Sequence, residues 1–219
     1  MTVPVRRPPL SLLKKVLIGT AALVLPALIA GFVVWPRSPL DLGDGVNLGK
    51  SGMREHWAQG DVIVVVRHVE RCDRSDATCL TEADGITHDG SQMATRIGEG
   101  FKALGMGNTD VMTSPATRTV QTGQFMFGTA SQPQQWLWNC DKATLLQDAM
   151  AHKQPHRNLV LVAHSDCISK LEAQLDYEHA AASEYGTAFF IRVHRHAKPS
   201  SLGLMNPEGW ETALKGNTL

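Results

Sequence analysis

The stretch VVVRHVERCDRS, residues 64–75, runs from an apolar segment straight into Arg67, His68, Glu70, Arg71, Cys72 and Asp73. Arginine's planar fork donates paired hydrogen bonds to phosphate and keeps its charge at any working pH. An imidazole with an ordinary pKa near ~6.5 is largely neutral at pH 7, so its free nitrogen can attack phosphorus. Two more basic residues stand in comparable places. His164 follows the apolar run NLVLVA (158–163), and Arg118 lies just beyond DVMTS (110–114). Attack by one histidine would form a phosphohistidine while the arginines and the second histidine hold the equatorial oxygens; water would then release phosphate. The arginines supply the positive charge, so neither a metal nor another cofactor is expected.

The same stretch admits a zinc reading, since His68, Cys72, Cys79 and His88 form a two-cysteine, two-histidine set. Their spacing matches no usual finger or ribbon, and an oxidising compartment would join the thiols instead. The remaining histidines are expected at the surface; His194 and His196 alternate along one predicted strand face, a weak metal signal. Asp73 and Arg74 read as loop residues that can orient Arg71, with direct substrate contact as the alternative.

The elements that must position these side chains follow from hydrophobic pattern. DVIVVV (61–66) and NLVLVA are continuous apolar runs, the pattern of strands covered on both faces. DVMTS is a shorter strand, and QQWLW (134–138) is expected to be another. Met93, Ile97, Phe101 and Leu104 make one helical stripe; TRTVQTGQFMF (117–127) and residues 142–153 also read as helices. GTAFFIRVH and LGLMNPEGW, near the end, are expected as a hairpin or edge strands. Strands alternating with helices predict an α/β fold, a three-layer α/β/α sandwich with a mostly parallel sheet. Ligands in such sheets bind beyond the carboxyl ends of the strands, where Arg67, His68, Arg118 and His164 are all expected.

The chain of 219 residues has 21 basic and 21 acidic residues, unevenly placed. The first 35 residues hold Arg6, Arg7, Lys14 and Lys15 and no acid, leaving 17 basic against 21 acidic residues, a net charge of −4, in the remainder. A mildly acidic domain argues against a nucleic-acid partner. Val16–Trp35 is free of charge for 20 residues, enough to cross a ~30 Å hydrocarbon core as a helix and longer than the apolar core of a usual cleaved signal. It is expected to be a membrane anchor, with a removed signal as the alternative; the basic segment stays in the cytoplasm and the domain is exported. The expected organisation is a basic segment (1–15), this helix (16–35), a linker (36–59) and one domain (60–219). Four cysteines, Cys72, Cys79, Cys140 and Cys167, fit an oxidising compartment and allow three pairings. Sequence does not choose among them; the small loop closed by Cys72 and Cys79 is favoured, with Cys140 to Cys167 as the second bridge.

RH after a hydrophobic strand, ITHDGSQMA (86–94), SPATRTVQT (114–122) and VAHSD (162–166) resemble, in order and spacing, the motifs of the histidine phosphatase superfamily. The likeness spans about residues 60–175. It implies His68 as nucleophile, with Arg67, Arg118 and His164 completing a phosphate pocket and Arg71 matching an additional arginine of some members. Gly90 and Gln92 would serve the fold, and Val69 departs from the glycine usual after RH. Many members protonate the leaving oxygen with a carboxylate; here Asp166, Asp141 and Glu70 compete, with Asp166 preferred because it follows His164 by two residues. The apolar start and RHVERCDRS…CL are similar to a narrower group, periplasmic phosphatases of lipopolysaccharide core heptose. That likeness implies a phosphorylated glycan or glycolipid as substrate. Alternatives are another periplasmic phosphoester, or a cradle that binds a phosphoglycan without turnover.

Overall fold

The two apolar runs that lead into His68 and His164 form the centre of the sheet. In the computed structural model, which describes residues 11–34, 38–128, 133–141, 143–194 and 197–215, β1 (Val62–Arg67) pairs parallel with β3 (Asn158–Ala163). Every residue of β3 is buried, as is all of β1 but Arg67, so their Val, Ile and Leu content is that of strands packed on both faces. β2 (Thr109–Thr113) joins parallel to the far side of β3. On the other flank β4 (Ala188–Arg192) runs antiparallel to β1, and β5 (Ser200–Met205) antiparallel to β4. The order is β2-β3-β1-β4-β5, and only β4 opposes the common direction.

Alternation along the strands builds two cores. Val62, Val64, Val66 and Phe190 face a cluster holding Ile97 and Phe101 of α4 (His88–Leu104), Met126 of α5 (Thr117–Phe127) and Trp210 of α8 (Pro207–Lys215). Ile63, Val65, Leu161 and Phe189 face the opposite cluster, with Leu145 and Ala149 of α6 (Leu145–His152) and Ile168 and Leu171 of α7 (Ser165–Gln174). The result is the α/β/α sandwich.

Two local expectations change. QQWLW forms a 3-10 turn over Gln135–Leu137 rather than a strand; Leu137 is buried and Trp138 stays exposed. Residues 36–59 are more than a tether. They contain α2 (Gly45–Ser51) and α3 (Met53–Gln59), and Leu42, Leu48, Met53 and Trp57 enter the core of the α4 face, so the compact unit spans 37–219. Gly52, at φ 66, ends one helix and caps the next, which breaks the apolar period. The last two segments do pair as β4 and β5, the second continuing into α8.

The N-terminal apolar segment forms a separate unit, α1 (Leu12–Val34), 23 residues or about 34 Å long. It is long and apolar enough to cross a membrane, a property that a signal sequence shares. Arg6, Arg7, Trp35 and His196 lie outside the described residues.

Candidate active site

Strand register brings the two histidines together. Arg67 stands opposite Ala163, so His68 and His164 leave adjacent parallel strands at the same edge, and the His68 N–H donates to the Ala163 carbonyl at 2.9 Å. The chain leaves β1 for α4 on one face and leaves β3 for α7 on the other, which opens a crevice between them. Beside β3, Ser114 N–H donates to the Val162 carbonyl at 2.9 Å; α5 starts three residues later and carries Arg118 in its first turn. Because β4 is antiparallel, its start lies at this same edge, with Ala188 opposite Val66. The preceding segment thereby delivers Tyr185 to the site.

His68 is 4% exposed, and its Nδ1 lies 2.8 Å from the Val69 carbonyl. A carbonyl oxygen can only accept, so Nδ1 carries the proton and Nε2 keeps its lone pair. Arg118 Nε lies 3.2 Å from that Nε2, and Arg118 Nη2 lies 3.4 Å from His164 Nδ1. His164 Nε2 contacts the buried Ser114 Oγ at 2.9 Å. Burial, reinforced by the charges of Arg118, His164 and Arg67 and opposed by the Val69 bond, pulls the His68 pKa to about 3. Burial and then Arg118 pull His164 to about 4, against the pull of Asp166. Both imidazoles are therefore neutral at pH 7.

A cavity of about 370 Å³ opens over these rings, lined by Arg67, His68, Arg71, Arg74, Arg118 and His164 on its cationic side. Trp138, Ser165, Asp166 and Tyr185 complete the wall. The Arg67 guanidinium lies 4.0 Å above the Tyr185 ring and donates to the Ser183 carbonyl. Arg71 pairs with Asp73 outside the pocket, and that pairing holds the Asp73 carboxyl below its usual range. Burial lowers the pKa of Arg67 and of Arg118, yet both guanidiniums start so high that they stay charged. Four arginines facing two neutral imidazoles make a receptor for a tetrahedral dianion.

The motif residues that do not line the cavity hold it in place. Thr87 caps α4 by accepting from Gly90 N–H at 2.9 Å and donates to Glu70 Oε2 at 2.8 Å. Glu70 Oε1 accepts from Ser75 Oγ at 3.1 Å, so this carboxylate staples the loop after His68. A Cβ on Gly90 would stand 2.9 Å from the Glu70 carbonyl, which requires glycine at that crossing. Thr122 accepts from Val69 N–H at 3.2 Å, and Gln121 accepts from Ile86 N–H at 2.9 Å; Gln92 is exposed. Cys72 is bonded to Cys79 and Cys140 to Cys167, so the cysteines of the zinc reading are joined to each other. Of the three competing acids, Asp166 lines the cavity in the first turn of α7. Asp141 pairs with Lys170 at 3.0 Å in an exposed loop.

Sequence reasoning did not single out Tyr185, Ser114, Ser165 or Trp138. Tyr185 precedes β4, and only an antiparallel β4 would have turned it toward the cavity. Trp138 lies in QQWLW, where a 3-10 turn takes the place of the expected strand.

No family model matches the chain. Lipopolysaccharide core heptose(II)-phosphate phosphatase of Salmonella choleraesuis is 34% identical over 113 residues, 51% of this chain and 56% of that protein, so the chain spans little more than half of that relative. The protein of the same name from Salmonella typhi is 31% identical over 150 residues, 68% of this chain and 72% of its own length. Among solved structures, protein histidine phosphatase SixA complexed with tungstate superposes with TM-score 0.55 at 14% identity, covering 67% of this chain and 97% of that one. Phosphoglycerate mutase from Bacillus anthracis gives 0.52 at 14% identity, over 74% and 99% of the two chains. At such identities these neighbours speak for the histidine phosphatase fold alone. With that fold beneath it and the Salmonella typhi relative matched over most of its length, the chain belongs to the lipopolysaccharide core heptose(II)-phosphate phosphatase family.

Proposed function

We propose that the chain is an exported phosphomonoesterase that removes phosphate from heptose of the lipopolysaccharide core through a phosphohistidine on His68. The observation that carries this reading is the buried His68, whose unprotonated Nε2 faces the cavity and accepts from Arg118 Nε–H, with further arginines lining the same cavity. In the first step Nε2 bonds to phosphorus while the bond to the sugar oxygen breaks, with Asp166 donating the proton that oxygen needs. Arg67, Arg71, Arg118 and His164 hold the equatorial oxygens as charge shifts in the transition state. A water then attacks phosphorus, Asp166 takes its proton, and the P–N bond breaks to restore neutral His68.

Export is supported by α1, by Lys14 and Lys15 at its start and by both cysteine bridges, which need an oxidising compartment. The relatives' named substrate supports a place in the cell envelope, with α1 as anchor or signal. The test is hydrolysis of an aryl phosphate by the full chain in EDTA, together with mass spectrometry of surface glycolipid from cells with and without the gene. Phosphate release abolished by His68→Ala, with extra core phosphate in cells lacking the protein, is expected. EDTA-sensitive turnover restored by zinc would overturn the mechanism, and an unchanged phosphate count would overturn the substrate.

A further inference from the structure

The arginines and histidines account for the phosphate, but a monoester also has a leaving group that must lie along the remaining wall. That wall carries Trp138, Ser165 and Asp166. Among the described residues of the 37–219 unit, the exposed large apolar side chains are Leu40, Val46, Phe125 and Trp138. Of these, Trp138 alone lines the cavity that contains His68. Its exposure is not that of a loose loop. Leu137 before it is 1% exposed, Cys140 two residues on is fully buried, and Trp138 is 54% exposed between them. The Cys140–Cys167 bridge ties this loop to α7, whose start carries His164 as its cap and Asp166 in its first turn. The loop that carries the indole is thus fastened to the element that starts at His164 and Asp166.

We infer that Trp138 is a specificity residue: its indole face stacks against the sugar ring that bears the phosphate, and the Cys140–Cys167 bridge holds it there. The inference rests on the phosphatase reading above. A sugar ring presents C–H bonds of partial positive charge on one face, and an aromatic ring presents its negative face to them. An indole held in place loses little entropy on binding, so it selects a cyclic leaving group over a flexible one. A hydroxyl-rich ring stacked at the mouth would also set its phosphate in line with His68 Nε2.

The test compares glucose 6-phosphate with glycerol 3-phosphate, two primary phosphates that differ in the ring. For the full chain in detergent, kcat/KM is measured on both esters for wild type, Trp138→Phe and Trp138→Ala. Trp138→Ala is expected to lower the glucose 6-phosphate to glycerol 3-phosphate ratio about 10-fold, and Trp138→Phe to restore most of it. An equal loss on both esters, or no change in the ratio, overturns the inference. A wild type that turns over neither ester nor an aryl phosphate fails the phosphatase reading instead. In that event fluorescence titration of the His68→Ala protein with each ester still decides. Weaker binding of glucose 6-phosphate alone on adding Trp138→Ala supports stacking, and equal binding refutes it.

Discussion

Replacing His68 by Asn is expected to remove a pH dependence of stability along with the nucleophile. In the folded chain the His68 pKa lies at about 3, against ~6.5 when exposed. Between those values the unfolded chain binds a proton that the folded chain does not. The stability attached to the neutral ring is therefore intact above ~6.5 and is lost as pH falls toward 3. From pH 7 to pH 5 one such group costs roughly 2 kcal/mol. His164, at about 4, adds a loss of the same sign and similar size. Glu172 opposes both: burial raises its carboxyl to about 7, so its stabilising proton is held at low pH and lost as pH rises through 7. The wild-type curve is thus a sum of opposing contributions, and the informative quantity is the difference between wild type and His68→Asn. Asparagine can keep a donor toward the Val69 carbonyl and does not titrate. Urea unfolding of the full chain in detergent micelles, followed by tryptophan fluorescence, measures both proteins at pH 7 and pH 5. The variant should gain roughly 2 kcal/mol on the wild type over that interval, a relative midpoint shift of about 1 M urea. A difference that stays constant between the two pH values would refute a buried, neutral His68.

Two further outcomes follow from the same geometry. Asp166→Asn should slow an alkyl phosphate by roughly 10²-fold or more and p-nitrophenyl phosphate far less, because the latter's oxygen leaves without a proton; equal losses would remove Asp166 as the acid. Removing the Cys140–Cys167 bridge by paired serine substitutions should cost roughly 3.5 kcal/mol, against roughly 2.5 kcal/mol for Cys72–Cys79, since it closes the longer loop. Urea midpoints check this, and the reverse order would contradict it.

The site was legible where chemistry interrupts pattern. The apolar runs of β1 and β3 lead into His68 and His164 at the edge where open sheets bind ligands, so the sequence alone places Arg67, His68, Arg118 and His164 together, and all four line one cavity. The parts that were not legible are those fixed by contacts distant in sequence. Trp136, Leu137 and Trp138 look like a short strand, yet Leu137 is buried in the core, Trp136 packs partly against it, Trp138 is exposed, and the chain turns there. Leu42, Leu48, Met53 and Trp57 share one core, but a glycine with positive φ splits their helices and hides the period. Tyr185 reaches the cavity only because β4 runs antiparallel, which its own sequence does not state. Among the competing acids, Glu70 and Asp141 are separated from Asp166 by their partners, Ser75 and Thr87 for one and Lys170 for the other.

The central claim is a covalent bond from His68 Nε2 to phosphorus. Rapid quench of the full chain with an aryl phosphate into alkali, followed by peptide mass spectrometry, tests it directly. The account predicts a phosphate, stable in base and lost in acid, on the peptide containing His68 and absent from His68→Asn. Phosphate on any other residue, or turnover that persists in His68→Asn, would contradict it.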